Sequence, residues 1–417
     1  MSGRFSVPIQ VVRAGPVEAW LVRDDSVPVV SLSWSWDGGA ALDPAEHGGA
    51  TALAAALLTE GAGDLRAAAF ADALRDEGIG LGFSAGRDSF EGGFRALTDA
   101  LPEAVRLTRL AMTAPRLDPE AVERVRARAV ANARTQLETP RGVAGRAFWA
   151  AAYPGHPAGR PTAGTAETLA SLPIEAIRAA LGRQLRREGM IVAASGAIGP
   201  DELARLLETL FAGLPPGTPP APPALPAFAN FGQRVVQVAA PQSQVVFGQP
   251  GMPVQDADWE AAQVVMRILA GGGFSSRLME AVRVQRGLTY GISAGLDSLF
   301  RQGVIIGAVG TENARVAETL SVTREEWARM ANEGPTQDEV EEAIAYFTGS
   351  LPLQFTDSRR IAGILLALRR NDRPIDWLET RPERLARLNR EKLAEVSKRL
   401  LHADALSAAV AGEPQGL

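Results

Sequence analysis

Gly271–Ser298 reads GGGFSSRLMEAVRVQRGLTYGISAGLDS, and the change of period inside it decides the fold. The glycine run predicts a turn. Leu278, Val282 and Gln285, spaced by four and three, predict a helix that Gly287 ends in the left-handed conformation. Beyond Gly287 the residues Leu288, Tyr290, Ile292, Ala294 and Leu296 alternate with Thr289, Gly291, Ser293 and Gly295, the period of a half-buried strand. Arg283 therefore falls in the last helical turn and Tyr290 at the mouth of the strand, placed so that both side chains can point into one cleft. Pattern alone gives the pair a plain structural reading as well: a cation complements the helix dipole, and a tyrosine in register with Leu288 and Ile292 belongs in a core.

The same stretch has a counterpart earlier in the chain. Gly82-Phe-Ser-Ala-Gly-Arg-Asp-Ser89 matches Gly291-Ile-Ser-Ala-Gly-Leu-Asp-Ser298 at six of eight positions, at an offset of 209 residues in a chain of 417. Each copy follows a helical segment that ends in glycine, at Gly78 and at Gly287. An offset of half the chain length predicts two copies of one domain. Their chemistry differs, because Arg75 echoes Arg283 while Leu81 stands where Tyr290 would be.

Over the whole chain, 46% hydrophobic and 22% charged residues suit two globular cores. No apolar run approaches the ~18 residues of a membrane helix. A formal charge of -5 gives no electrostatic reason to expect nucleic acid or an anionic membrane as partner. The basic cluster Arg183 to Arg187 reads as a solvated helix face. Cysteine is absent, which excludes disulfides, thiolate zinc sites and a cysteine nucleophile. Met1 to Val12 lacks the charged-then-apolar run of a signal peptide, so the expectation is a soluble, cytoplasmic chain, or a periplasmic one if a signal has been removed.

Along the chain, strands are expected at Val7 to Val12, Ala19 to Val22 and Val29 to Trp36, the first two joined by a Gly15-Pro16 turn. Helices follow at Gly48 to Leu58, Leu65 to Arg75, Pro102 to Met112, Pro119 to Leu137 and Pro200 to Phe211, with strands near Phe83 and Phe94 and at Ile191 to Ser195. Gly213 to Ala229, GLPPGTPPAPPALPAFA, holds seven prolines and reads as an extended linker. After it the programme restarts, with strands at Val235 to Val238, Val245 to Gly248, Val304 to Val309 and Ala405 to Ala411. Its helices are expected at Asp258 to Ala270, Ala314 to Met330, Thr336 to Gly349, Ser358 to Arg369 and Arg390 to Leu400. The expected class is α+β: two homologous sandwich domains in tandem, each an antiparallel-rich sheet covered by helices. The first spans 1–212, the linker 213–229 and the second 230–417.

Candidate chemistry is sparse. Ser84 and Ser293 both sit in G-x-S-x-G, but that motif needs its serine on a strand-to-helix elbow, and here it lies in a strand that follows a helix. His402 and Asp357 lie downstream of Ser293 in a permissible order, so a serine hydrolase stays open. Only His47, His156 and His402 exist, none at the four-residue spacing that converges on zinc. No Gly-Lys-Ser or Gly-Lys-Thr follows the glycine run, which excludes a phosphate loop of that kind.

Three motifs, in this order and spacing, resemble the pitrilysin and mitochondrial processing peptidase family of zinc metallopeptidases, the inverzincins. They are Gly49 to Gly61, His156-Pro-Ala-Gly-Arg-Pro-Thr-Ala-Gly-Thr165, and Gly271-Gly-Gly-Phe-Ser-Ser-Arg-Leu278 running into Arg286-Gly-Leu-Thr-Tyr290. The likeness spans nearly the whole chain and implies that the two domains form one half of a clam-shell. Catalytic members carry His-x-x-Glu-His on the first helix, two imidazoles and a general-base carboxylate on one face. Alignment without gaps puts Ala52, Ala55 and Ala56 at those positions, in the helix near 48–60, and the further glutamate ligand falls near Ala131 and Asn132. The resemblance therefore implies a subunit with no zinc of its own and no cofactor in this chain.

The resemblance also assigns a role to Arg283 and Tyr290. In the family an Arg and a Tyr at this spacing sit opposite the zinc site and assist at the scissile bond, and in heterodimeric members they lie on the subunit without metal. The implied protein is the non-catalytic subunit of a heterodimeric zinc peptidase, acting in trans on an extended peptide held with an HxxEH-bearing partner. A structural core protein of a larger assembly is the alternative, and a serine hydrolase using Ser293 the second.

Overall fold

The computed structural model describes residues 6–417. Strands β1 (Ile9–Ala14), β2 (Val17–Arg23) and β3 (Val29–Asp37) precede helix α1 (Ala50–Leu57). A short hairpin, β4 (Gly61–Ala62) and β5 (Leu65–Arg66), leads into α2 (Ala67–Asp76), β6 (Gly80–Ala85) and β7 (Ser89–Leu97). Next come α3 (Leu101–Thr113), α4 (Pro119–Glu138), α5 (Pro140–Ala152), α6 (Ala166–Ala170) and α7 (Ile174–Gln184), before β8 (Met190–Gly196) and α8 (Pro200–Phe211). The second half runs β9 (Gln233–Gln237), β10 (Gln242–Pro250), α9 (Trp259–Met266), β11 (Ile292–Leu299) and β12 (Gln302–Glu312). It ends with α10 (Val316–Glu333), α11 (Gln337–Ser350), α12 (Ser358–Arg370), α13 (Arg381–Ala386), α14 (Arg390–Leu400) and β13 (Ser407–Gly412).

The repeat read from the sequence is a repeat of topology. One sheet has the order β1-β2-β8-β3-β7-β6 and the other β11-β12-β10-β13-β9. Read from β6 and from β11 the two follow one plan, in which three antiparallel pairs are succeeded by one parallel pair, β8 with β2 and β13 with β9. The matching octapeptides overlap the edge strands β6 and β11.

A buried cross-strand pair recurs with them. Trp34 lies opposite Gly92, and Phe247 opposite Gly307. A Cβ on either glycine would come to 2.5 Å from the facing ring, so each glycine is the space its aromatic partner occupies. Trp34 packs edge-on against Phe83, Phe94 and Phe211, and Phe247 against Trp327.

Val30, Leu32, Trp34 and Trp36 alternate along β3 into the larger apolar cluster, leaving Ser31, Ser33 and Ser35 on the opposite face. Helices lie on both faces of the first sheet, and each half of the chain lends one helix to the sheet of the other. One compact unit contains the described residues up to Arg134, Pro161–Pro223 and Leu351–Glu379; the other contains Thr135–Arg160, Ala224–Ser350 and Thr380–Leu417. Helix α12 of the second half thus packs Ile361, Leu365 and Leu366 against Trp20, Val22 and Ala193 of the first sheet. Helix α5 of the first half packs Ala144 and Phe148 against Val246, Ala409 and Ala411 of the second. Division by chain order at the proline-rich stretch describes the duplication, whereas the compact units cut across it twice.

The proline-rich stretch runs without a regular element, and it does more than connect. Phe228 packs beside Phe148 and Tyr153, and Ala229 donates its N–H to the Ala152 carbonyl. The basic run also departs from expectation, because α7 ends at Gln184. Arg183 reaches the buried Asp43 at 3.7 Å, and Arg187 donates to the Leu214 carbonyl at 3.1 Å. Among the described residues no helix is long and apolar enough to cross a membrane.

Candidate functional site

The unit built on β9–β13 presents the Arg283–Tyr290 segment. Two π-helical turns, Arg267–Gly271 and Met279–Val284, flank the glycine-rich loop, and such wide turns concentrate at functional sites. Arg277 holds the loop in place. Its guanidinium makes two 2.6 Å bonds to the Glu339 carboxylate and a third, at 3.0 Å, to the Gly334 carbonyl. This is a bidentate, mostly buried pair that ties the loop to α11. Burial acts to raise the Glu339 carboxyl, but the Arg277 fork and the bonds from Thr336 outweigh it and hold the group below the ordinary glutamate range.

Gly287 closes the second π-turn at φ +60°, with its N–H on the Arg283 carbonyl and the Leu288 N–H on the Val282 carbonyl, both at 2.9 Å. Arg283 thus sits in the last turn, as the spacing predicts. Its guanidinium lies 4.5 Å from the ring centroid of Phe274, and no carboxylate pairs with it among the described residues. Phe274 is itself 70% exposed. The sequence did contain a signal for it, since a phenylalanine inside a glycine-rich turn has no helical or strand register by which to reach a core.

Tyr290 departs from the alternation. The strand begins at Ile292 rather than Leu288, and Tyr290 is 86% exposed while Leu288 is 3% exposed. The cause is a set of bonds on either side of it. Thr311 donates to the Leu288 carbonyl at 2.6 Å, Thr289 donates to the Gly310 carbonyl at 2.6 Å, and the Ile292 N–H meets the Met279 sulfur at 3.4 Å. These pins hold the backbone before and after Tyr290 and leave its ring in solvent. Arg283 lies over Phe274, and no hydrogen bond joins it to Tyr290 among the described residues.

The matching position in the other unit is electrostatically closed. Arg75 is paired with Asp72 at 2.7 Å and Asp76 at 3.0 Å, and Leu81 replaces the tyrosine. Among the described residues, only the second copy presents an uncompensated guanidinium with an exposed phenol.

Helix α1 does not fit a zinc ion. Ala52 and Ala56 lie on its half-exposed face and Ala55 is 2% exposed, and a methyl group has no lone pair to donate. Among the described residues no cluster of three metal-ligating side chains exists. The helix is held instead from Asp43, which accepts from the N–H groups of Gly49 and Thr51, with Thr168 donating to the Gly48 carbonyl at 2.8 Å. Burial raises the Asp43 carboxyl despite these donors and Arg183.

The remaining candidates are occupied otherwise. Ser293 lies inside β11 and Ser84 inside β6, neither on an elbow, and no imidazole bonds to Ser293 among the described residues. Asp357 caps α12 through the Arg360 N–H and pairs with Arg95 at 3.3 Å. His156 accepts from the Ala158 N–H as a turn residue and packs edge-on to Phe300, and the backbone N–H of His402 donates to Gln249. His47 ends a short 3-10 turn before α1.

Known proteins resemble this chain in sequence and in fold. Residues 171–347 match the family described as Peptidase M16 inactive domain. The chain is 23% identical to a non-peptidase homolog of Helicobacter pylori over 333 residues, 79% of this chain and 76% of that protein. It is 29% identical to an uncharacterized zinc protease of Streptomyces coelicolor over 209 residues, 48% of this chain and 45% of the relative. A crystal structure from Pseudomonas fluorescens, titled as a peptidase M16 inactive domain, superposes with TM-score 0.92 at 23% identity over 98% of both chains.

Proposed function

Because residues 171–347 match the peptidase M16 inactive domain family and α1 has alanine wherever a metal donor is needed, we propose that this non-catalytic chain assists a zinc-bearing partner in peptide hydrolysis. The partner supplies the HxxEH helix and the metal; this chain supplies Arg283 and Tyr290. The single observation that carries the reading is the contrast between the repeats, in which Arg75 is paired with two aspartates while Arg283, among the described residues, has an aromatic face beside it and no carboxylate.

The chemistry suits the task. When a peptide carbonyl is attacked, negative charge gathers on its oxygen, and a guanidinium together with a phenol hydroxyl gives two donors for it. Phe274 stacks on Arg283 without neutralising it, which limits the rotamers the cation must give up on binding. Tyr290, with its ring in solvent, offers its hydroxyl to a peptide directly. An extended peptide is the substrate class.

The test is peptide hydrolysis by the purified chain, by its HxxEH-bearing partner and by the mixture, with and without chelator. Activity is expected only in the chelator-sensitive mixture. Loss of one donor of this kind lowers turnover by ~10²–10³, so Arg283→Ala or Tyr290→Phe should do so with association of the two chains unchanged. Full turnover in both variants would remove the assignment and favour a scaffold role. Turnover by the isolated chain that resists chelator and labels Ser293 with a phosphonate would revive a serine hydrolase.

A further inference from the structure

Helix α12 leaves part of the first sheet uncovered. Its apolar residues Ile361, Leu365 and Leu366 pack toward β2 and β8, and beside them a cleft of about 710 Å³ opens over β3, β7 and β6. Its floor is Ser33, Gly82 and Gly93, nearly bare backbone; its wall is Gly363 and Ala367. Protein interiors pack as densely as organic crystals, and a space of this size falls in the range of ligand sites. Leu81, Glu91 and Leu366 also line it, but it is open where glycines face each other: a Cβ built on Gly82 or on Gly363 meets nothing within 4 Å.

The two ends differ in charge. At one end the Arg359 guanidinium reaches across Gly80, 3.0 Å from where a Cβ there would sit, and no carboxylate or carbonyl binds it among the described residues. At the other, Arg370 is held by Glu91 at 3.1 Å and Asp88 at 3.5 Å. Glu91 uses Oε1 for both Arg370 and Ser89, leaving Oε2 without a hydrogen bond among the described residues. Arg359 and Arg370 are eleven residues apart on one helix, roughly 16 Å at the α-helical rise. That is the length of about five extended residues.

We propose that this slot binds the extended carboxyl-terminal stretch of a peptide, about five small residues, with its carboxylate on Arg359 and its amino end toward Glu91. A flat chain with small side chains fits between two surfaces of glycine, alanine and serine, and a fork of guanidinium donors is the natural partner of a carboxylate. The site lies in the unit that does not contain Arg283 and Tyr290, and it does not depend on their role.

Calorimetric titration of the isolated chain tests it with the pentapeptide alanyl-seryl-glycyl-seryl-alanine, with free ends and as its carboxyl-terminal amide. The acid should bind and the amide bind at least tenfold more weakly. Arg359→Gln should lose the same factor for the acid and nothing more for the amide. Gly82→Val and Gly363→Leu, which fill the cleft from floor and wall, should each abolish binding with the thermal unfolding transition retained. The amide of a peptide ending in aspartate separates sources: tight binding assigns the carboxylate to a side chain and keeps the slot. No heat from the acid at millimolar concentration, equal binding of acid and amide, competition by acetate as effective as the peptide itself, or unchanged affinity in both filled variants would each overturn the proposal.

Discussion

Tyr290→Ala separates a structural tyrosine from a functional one. With 86% of the residue exposed, little of its surface is buried. On a side chain of ~200 Å² the buried part is roughly 30 Å², and at ~25 cal/mol per Å² its removal costs about 0.7 kcal/mol. The pins through Thr289 and Thr311 remain in the variant. Two residues earlier, Leu288→Ala removes a side chain at 3% exposure from the core of the same unit and should cost ~2–5 kcal/mol. Urea unfolding followed by tryptophan fluorescence, with Trp327 fully buried in that core, reads both midpoints. The expected result is a near-native midpoint for Tyr290→Ala and a clear drop for Leu288→Ala, with the opposite ranking in peptide turnover of the assembled enzyme. A loss above ~2 kcal/mol in Tyr290→Ala would make the tyrosine a core residue and remove the reason for giving it a role in chemistry.

Three further outcomes are expected. Gln249 accepts from the Trp327 indole N–H and donates to the Leu400 carbonyl, both at 2.8 Å, so Gln249→Leu leaves buried partners unbonded; a loss of about 3 kcal/mol in urea unfolding is expected. Glu339 is held below its unfolded value, so its contribution is present at neutral pH and fades as pH falls through the folded value. The stability gap between the wild type and Glu339→Gln, about 2 kcal/mol near pH 7, should therefore close as pH falls below the ordinary glutamate range, and a gap that widened in acid would contradict the ion pair. Gly363→Ala adds a methyl group to a helix interior with open space around it and should stabilise by ~0.5–1 kcal/mol, read as a rise in Tm.

Much of the fold is legible in the residue pattern because the causes are local. Alternation in Val29 to Trp36 and the proline that opens Pro119 to Leu137 give strand and helix where β3 and α4 lie. Helix α5, PRGVAGRAFWAAA, is faint in the sequence because its glycines and alanines give a weak amphipathic signal, and Phe148 with Ala144 finds its partner only on the second sheet. Helices α7 and α13 are faint as well, one beside a basic run and one only six residues long.

At the candidate site, the repeat and the placement of Arg283 before Gly287 were readable from the residues, since identity and spacing are properties of the chain, and the family resemblance is what set Ala52, Ala55 and Ala56 at metal-donor positions. Three features were not: Tyr290 leaves the strand's alternation, Phe274 stacks on Arg283, and α5 and α12 each cover the sheet of the other half of the duplication. These outcomes belong to the tertiary structure. They depend on bonds between residues far apart in sequence, such as Thr311 with Leu288 and Thr289 with Gly310, and on which sheet face is left bare for a helix to cover. Local period carries no information about either.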